Sequence, residues 1–324
     1  MERTILFEDD FAQGFDCAPA EEGKRWSSFA MGPFSPDDAI VDAVDSGIVA
    51  VSRGKNPKTG EPAFVRTVAR PEGGQGLPGT LDHLKWSASV NHATAAGAPG
   101  FEVVSGKKFV IETRLGGRVF GLRDQPFGDA ALSDLDADFR LGAAALVAQD
   151  PLTNVVFDFF ITNNTVYAIY ERVDMARMQL GNYAAYTYAV PVASRKPEDM
   201  HDLRIVYDPD ARTGSWQVDG VEKLFVDKIG SRIDRTYMAI DRGGEDTEVV
   251  PGQINCGLGT FTILDGALNG GPGLVDLGGM PDFYDPQKGE GSPLSFVDPD
   301  SREESRVFGQ GVELRCEYFR VSYE

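Results

Sequence analysis

The chain is short of cysteine, of positive charge, of long apolar runs and of any sustained helical period, and each shortage excludes something. Its three cysteines, Cys17, Cys256 and Cys316, are odd in number and widely spaced. They fit neither a disulfide framework nor a zinc site, so reduced thiols are expected. No stretch approaches the roughly 20 apolar residues of a membrane helix. The opening MERTILFEDDF passes from a charged start straight into a strand-like run, without the apolar core of a secretory signal. A cytoplasmic protein without a membrane partner is the expectation. With 31 Lys and Arg against 50 Asp and Glu, the formal net charge is -19, spread along the chain. Such a chain repels nucleic acid and anionic membrane surfaces. No run of about 12 residues keeps a helical period. No glycine-rich loop has the strand-then-helix setting of a phosphate cradle, and Gly270-Gly271-Pro272-Gly273 reads as plain loop. No cofactor and no metal site are expected.

What the chain does have is β-patterning from end to end. Strand-like runs are predicted at 4–7, 47–52, 83–91, 107–115, 139–148, 154–173, 185–192, 201–207, 215–218, 221–226, 259–264 and 312–323, separated by segments rich in Gly, Pro, Asp and Asn. Many short strands without alternating helices point to an all-β fold, an antiparallel β-sandwich. Apolar content of 42% is enough for a full core. The whole of 1–324 is read as a single domain, because large sandwiches hold this length as one unit. Two Gly/Pro-rich segments, about 53–80 and 265–311, are predicted to be extended loops draped over it.

The stretch Asn154 to Val173 is the centre of the pattern: two alternating strings joined by Asn163-Asn164, a pair that tolerates the positive φ of a tight type I′ turn. A two-residue turn there puts Phe160 opposite Tyr167, Asp158 opposite Ile169 and Val156 opposite Glu171, all on one mixed face. Val155, Phe157, Phe159, Ile161, Val166, Ala168 and Tyr170 fall on the other face, which must pack on a core. In a second hairpin, turning at Asp219-Gly220, strict alternation puts Trp216, Val218, Val221, Lys223 and Phe225 on one face.

The order of these pieces resembles the concanavalin A-like lectin/glucanase jelly roll, and within it the family-16 glycoside hydrolases. Phe7-Glu8-Asp9-Asp10-Phe11 with Trp26 downstream resembles the family's start, and Phe109-Val110-Ile111-Glu112-Thr113-Arg114 its sheet-entry strand. His201-Asp202-Leu203-Arg204-Ile205 followed by Trp216-Gln217-Val218-Asp219-Gly220 resembles the late strand pair, and Glu317-Tyr318-Phe319-Arg320-Val321 the last strand, which lies beside the first. The resemblance implies a sandwich with a concave cleft crossed by the central strand. The family's catalytic strand carries alternating carboxylates as nucleophile, helper and acid. Here Asp158 falls on the helper position, Val156 on the nucleophile, and Phe160 or Ile161 on the acid. Hydrolysis by the family's mechanism is therefore not expected.

The candidate catalytic residues are Asp158, Glu171 and His92. Asp158 and Glu171 sit at diagonal positions whose Cβ atoms should be about 7–8 Å or less apart. Two carboxylates that close among apolar neighbours push at least one pKa upward by desolvation and like-charge repulsion, which is how an acid/base pair is made. The bland alternative pairs Glu171 with an arginine such as Arg114 and bonds Asp158 to backbone. His92, sharing a strand face with Trp86, is a proton shuttle if that face is the cleft and otherwise a surface histidine; His201 is a weaker candidate of the same kind. Candidate ligand contacts are Val156, Phe160, Tyr167, Trp86 and Arg114, with Phe160 and Tyr167 either an aromatic platform or a stabilising cross-strand pair. Asp9-Asp10 and Asp298-Pro299-Asp300-Ser301 supply calcium-type oxygens without a known loop spacing. Asn163-Asn164-Thr165, formally a glycosylation acceptor, is set aside in a tight hairpin. Three functions stay open: an enzyme doing lyase, isomerase or cyclase acid/base chemistry on a small, partly apolar molecule; a noncatalytic carbohydrate-binding protein; and a structural or interaction domain with a vestigial cleft.

Overall fold

A computed structural model describes residues 3–19, 23–28, 35–65, 83–277, 283–300 and 308–324. Two antiparallel sheets face each other. One has ten strands and runs in the order Met238–Asp241, Tyr186–Ser194, Thr165–Arg172, Val155–Ile161, Ala143–Gln149, Gln253–Phe261, Leu84–Val90, Trp26–Ser28, Cys17–Pro19, with Phe101–Glu102 beside Gln253–Phe261. The other has eight and runs Val221–Val226, Thr213–Val218, His201–Asp208, Phe109–Phe120, Gly311–Tyr323, Gly47–Val51, Ile40–Val44, with Thr4–Asp9 also on Gly311–Tyr323. First and last strands thus pair, Thr4 opposite Tyr323, as the jelly-roll resemblance implies. Only two short pairs among the described strands are parallel, Cys17–Pro19 with Trp26–Ser28 and Gly273–Val275 with Phe296–Asp298.

The central hairpin has the register expected from its sequence: Phe160 opposite Tyr167, Asp158 opposite Ile169, Val156 opposite Glu171. A slip of one residue would have swapped the two faces. Instead Val155, Phe157, Phe159, Ile161, Val166, Ala168 and Tyr170 are sealed between the sheets, against Ile111, Leu203, Ile205, Tyr207, Trp216 and Val321 of the opposing sheet. The turn itself differs from the sequence reading. Neither Asn163 nor Asn164 takes a positive φ, so this is not a type I′ turn. Long-range bonds hold the turn: Asn163 Oδ1 accepts from Val119 N at 2.7 Å, and its Nδ2 donates to Val119 O at 2.9 Å and Asp136 Oδ1 at 2.7 Å. Arg195 Nη1 donates to Gly117 O at 2.8 Å and also to Thr162 O. Asn163→Ala, which strips three bonds from a buried residue, is therefore expected to cost about 1–3 kcal/mol in thermal unfolding; a neutral effect would mean that the turn holds itself.

Other boundaries moved for visible reasons. The strand expected at 139–148 begins only at Ala143, because Asp138 and Arg140 form a buried salt bridge ahead of it. The strand expected at 259–264 runs instead from Gln253 to Phe261, and Thr262–Leu264 leave the sheet. The Asp219-Gly220 turn has the expected positive φ at both residues, 52° and 77°. A register shift between Trp216 and Gln217, however, puts Leu224 and not Lys223 opposite Trp216's side of the pair, so Phe225 faces solvent. Strict alternation fails across such a bulge. Of the two predicted loops, PEGGQGLPG and Ser301 lie outside the described residues. Residues 262–277 and 283–298, most of them in the second predicted loop, lie across the outer face of the ten-stranded sheet, where Ile263, Leu268, Phe283, Leu294 and Phe296 join Phe139, Phe160, Tyr167 and Ile169 in a second apolar cluster.

Candidate functional site

The mixed face of the hairpin is this outer face. Four of its five candidate residues are covered: Val156, Asp158, Phe160 and Tyr167 are all under a tenth exposed, and only Glu171 is half-buried. Phe160 packs on Phe261 at 5.0 Å and is sealed beneath the covering segments. Tyr167 donates its hydroxyl to Ala137 O at 2.8 Å and borders a cavity of about 110 Å³ with Ala189, Pro191, Met238 and Leu268. That is well below the roughly 300–1,000 Å³ of drug-sized pockets. An aromatic platform open to a ligand is therefore not formed by this pair.

The carboxylates come together as the register implied. Asp158 Oδ1 accepts the Ala148 N–H at 2.8 Å, while its carbonyl accepts from Trp216 Nε1 at 3.0 Å. Glu171 Oε1 accepts from Thr187 Oγ1 at 2.5 Å on the neighbouring strand. Burial lifts the Asp158 pKa well above the usual carboxylate range, and the Glu171 charge adds to the lift against the Ala148 N–H. Burial also raises Glu171, and Asp265 pushes the same way; the Thr187 hydroxyl, His83 and Arg242 oppose. Near Glu171 runs a buried polar chain: His83 Nε2 to Asp265 Oδ1 at 2.6 Å, Asp265 Oδ2 to Arg242 Nη2 at 3.9 Å, Arg242 Nη1 to Asp174 Oδ1 at 2.8 Å. The Arg242 guanidinium also lies over the Phe283 ring at 4.9 Å, fastening the covering segment. His83, Thr187, Asp174, Arg242 and Asp265 were missed in the sequence. His83 opens a predicted strand, but its partner Asp265 lies far along the chain in a predicted loop, and nothing local announces the pairing.

Glu171 also belongs to a cross-strand row that is polar except at the buried Val156. Thr187, Glu171, Val156, Gln149 and Asn255 oppose one another in register across five strands, so they share the outer face. Asn255 Nδ2 reaches Ser89 Oγ at 3.4 Å. Glu171, Gln149, Asn255 and Ser89 are all half-buried.

The remaining candidates lie elsewhere. Trp86 is in the inter-sheet core with Ala88 and Val90, so the strand face it shares with His92 is not the outer face. His92 is exposed, stacked on Phe101 at 4.2 Å, with Nδ1 2.9 Å from Gly100 O. Arg114 is on the other sheet and pairs with Asp202 at 3.3 Å and Glu317 at 2.9 Å, not with Glu171. His201 Nδ1 meets Asp219 Oδ2 at 2.8 Å. Asp9 accepts from Phe11 N and Trp26 Nε1, which occupies the oxygens considered for calcium. Among the described residues no group of three or more His, Cys, Asp or Glu is arranged to hold a metal ion.

A raised carboxyl pKa has a stability consequence. The folded chain holds the Asp158 proton more tightly than the unfolded chain does, so this contribution is full below the ordinary carboxylate pKa of about 4 and is lost as pH rises toward the raised value. Asp158→Asn mimics the protonated form and keeps an acceptor for Ala148 N–H. Urea unfolding from pH 4 to 8 is expected to show the variant gaining on the wild type as pH rises; a variant that loses ground would contradict the raised pKa.

Comparison with known proteins gives the chain's relatives. A protein of Acanthamoeba polyphaga mimivirus, "Uncharacterized protein L829", is 25% identical over an alignment of 342 residues that takes in 76% of this chain and 77% of that protein. Similar solved structures include an endo-1,3-β-glucanase from Streptomyces sioyaensis, at TM-score 0.45 and 12% identity over 99% of this chain and 96% of that one. The alginate lyase A1-II′, at 0.41 and 7% over 88% and 83%, and a Crh5 transglycosylase in complex with NAG, at 0.39 and 12% over 99% and 87%, are also similar. A family profile matches residues 8–324, and the chain belongs to that family, the family of unknown function DUF6081.

Proposed function

We propose that the chain binds a small hydroxylated molecule along the row Glu171, Gln149, Asn255 and Ser89, and that Glu171 moves a proton to or from it. The observation that carries this reading is the state of Glu171: of the five mixed-face candidates it alone is half-buried, and burial raises its pKa. A general acid or base works best with its pKa near the working pH, and an elevated carboxyl at an accessible edge fits that role. Burial, with Asp265 beside it, holds the pKa up; Thr187 orients the carboxyl. One mobile proton suits lyase, isomerase or cyclase chemistry. The amides of Gln149 and Asn255 and the Ser89 hydroxyl match ligand hydroxyls, because they both donate and accept. The same row supports a second reading, binding of a carbohydrate without turnover.

Hydrolysis of β-glucans is not part of the proposal. Val156 cannot attack an anomeric carbon, and Phe160 cannot donate a proton. Incubation with laminarin or lichenan is expected to release no reducing sugar; release that is lost in Asp158→Asn would overturn this. The test of the binding reading is calorimetric titration of wild type and Glu171→Gln with a panel of small polyols and glycosides. Binding that is weakened in the variant supports it, and indifference to the substitution contradicts it.

A further inference from the structure

Three connections meet at the end of the ten-stranded sheet where Glu171 lies: residues 150–154, 173–185 and 242–252. Their bases are tied together. Val173 N donates to Asn154 O at 3.0 Å, Gly252 N to Asp150 Oδ2 at 3.2 Å, and Arg177 Nη2 to Arg242 O at 2.9 Å and Gly243 O at 2.8 Å. Arg172 Nη1 bonds Thr247 O at 2.8 Å from beneath. Fixed in this way, the three connections present large apolar side chains to solvent: Leu152 at 63% exposure, Met178 at 96%, Leu180 at 50%, with Met175 at 40% and Val250 at 46%. Scattered exposed apolar residues are ordinary, but five on three connections whose bases are tied together are a concentration, with the exposed Glu245, Asp246 and Glu248 on the 242–252 connection beside them. Methionine and leucine give adaptable apolar contact. The rim continues directly from the polar row, since Gln149 and Val156 bracket the 150–154 turn and Glu171 precedes Asp174 and Met175 by a few residues.

Building on the ligand-binding reading of that row, we propose that the ligand is amphipathic: a hydroxylated head held by Glu171, Gln149 and Asn255, and an aliphatic tail laid on Leu152, Met175, Met178 and Leu180. The head is uncharged or cationic, because Glu171 in the row and a net charge of -19 both disfavour an anionic one. A row of polar side chains abutting an apolar rim fits a molecule with both characters, where a bare glycan would leave the rim wet.

The test is titration of the full chain with octyl-tailed polyols (octyl glucoside, octyl galactoside, octylglycerol) below their micelle-forming concentrations, beside methyl glucoside, methyl galactoside and glycerol. The tailed probes are expected to bind about ten- to a hundredfold more tightly than the tailless ones. The gain should vanish in Met178→Ser/Leu180→Ser, whose side chains are exposed, while Glu171→Gln weakens tailed and tailless probes alike. Equal binding with and without the tail, or a gain that survives the double substitution, overturns the amphipathic ligand and leaves the polar-row reading standing. Dodecylphosphocholine binding as well as the octyl polyols, unchanged by Glu171→Gln, makes the rim a general lipid surface and overturns both, as does no binding of any probe.

Discussion

Phe159→Ala is expected to lower stability by about 3–5 kcal/mol in urea or thermal unfolding. Phe159 is wholly buried, stands opposite Ala168 in the hairpin, and neighbours Leu146 on the next strand. Both neighbours sit in closely packed sheet, so the space left by the ring has little to collapse into it, and the cost combines lost transfer free energy with a cavity. The substitution also tests the assignment of faces, because the same truncation on a solvated face costs little. A loss below about 1 kcal/mol would mean that this side of the hairpin is not the one packed between the sheets.

A comparable loss, about 3–5 kcal/mol, is expected for Asp138→Ala, for an electrostatic reason. Asp138 and Arg140 are each about 1% exposed, and the pair is bidentate, Nε to Oδ1 at 2.9 Å and Nη2 to Oδ2 at 2.8 Å. The guanidinium goes on to Gly266 O at 3.2 Å and Pro272 O at 3.3 Å, so the pair fastens the covering segment to the edge of the sheet. Removing the carboxylate leaves a buried cation with carbonyls alone, and the desolvation cost is no longer offset. Double substitution to well-packed apolar residues should cost much less than Asp138→Ala, since the penalty comes from the unpaired charge. A single variant as stable as the wild type would show that water reaches Arg140.

The hairpin faces were legible because a β-strand repeats every two residues and one face here is almost pure hydrocarbon. That contrast says which face packs on the core, and a two-residue turn then gives the pairing. The pairing of the terminal strands followed from the family resemblance. Three things were not legible. The Asn163-Asn164 turn looked self-sufficient, yet Val119, Asp136 and Arg195 hold it from far along the chain. The bulge at Trp216/Gln217 breaks alternation without a local signal and sends Phe225 outward. Above all, the outer face looked like an open cleft, because nothing in the sequence of residues 262–277 and 283–298 says which face they cover. The candidate site changed accordingly. Asp158 and Glu171 came together through register, whereas His83, Asp265 and Arg242 came together through tertiary contacts that a single sequence does not display. Trp86 and His92 were placed by conjecture about which strand face was the cleft, and the inter-sheet core took that face.

The central claim is that Glu171 stands at the accessible edge of a buried acidic pair for a chemical purpose. It is tested most directly by Glu171→Gln, nearly isosteric and still able to accept from Thr187, measured for thermal unfolding and for ligand binding or turnover in parallel with Phe159→Ala. The expected result is a folded variant close to wild type in melting temperature, with binding lost or turnover reduced about 10²–10⁴-fold. If Glu171→Gln instead unfolds the protein as severely as Phe159→Ala does, Glu171 is a structural anchor, and the proposed site is wrong.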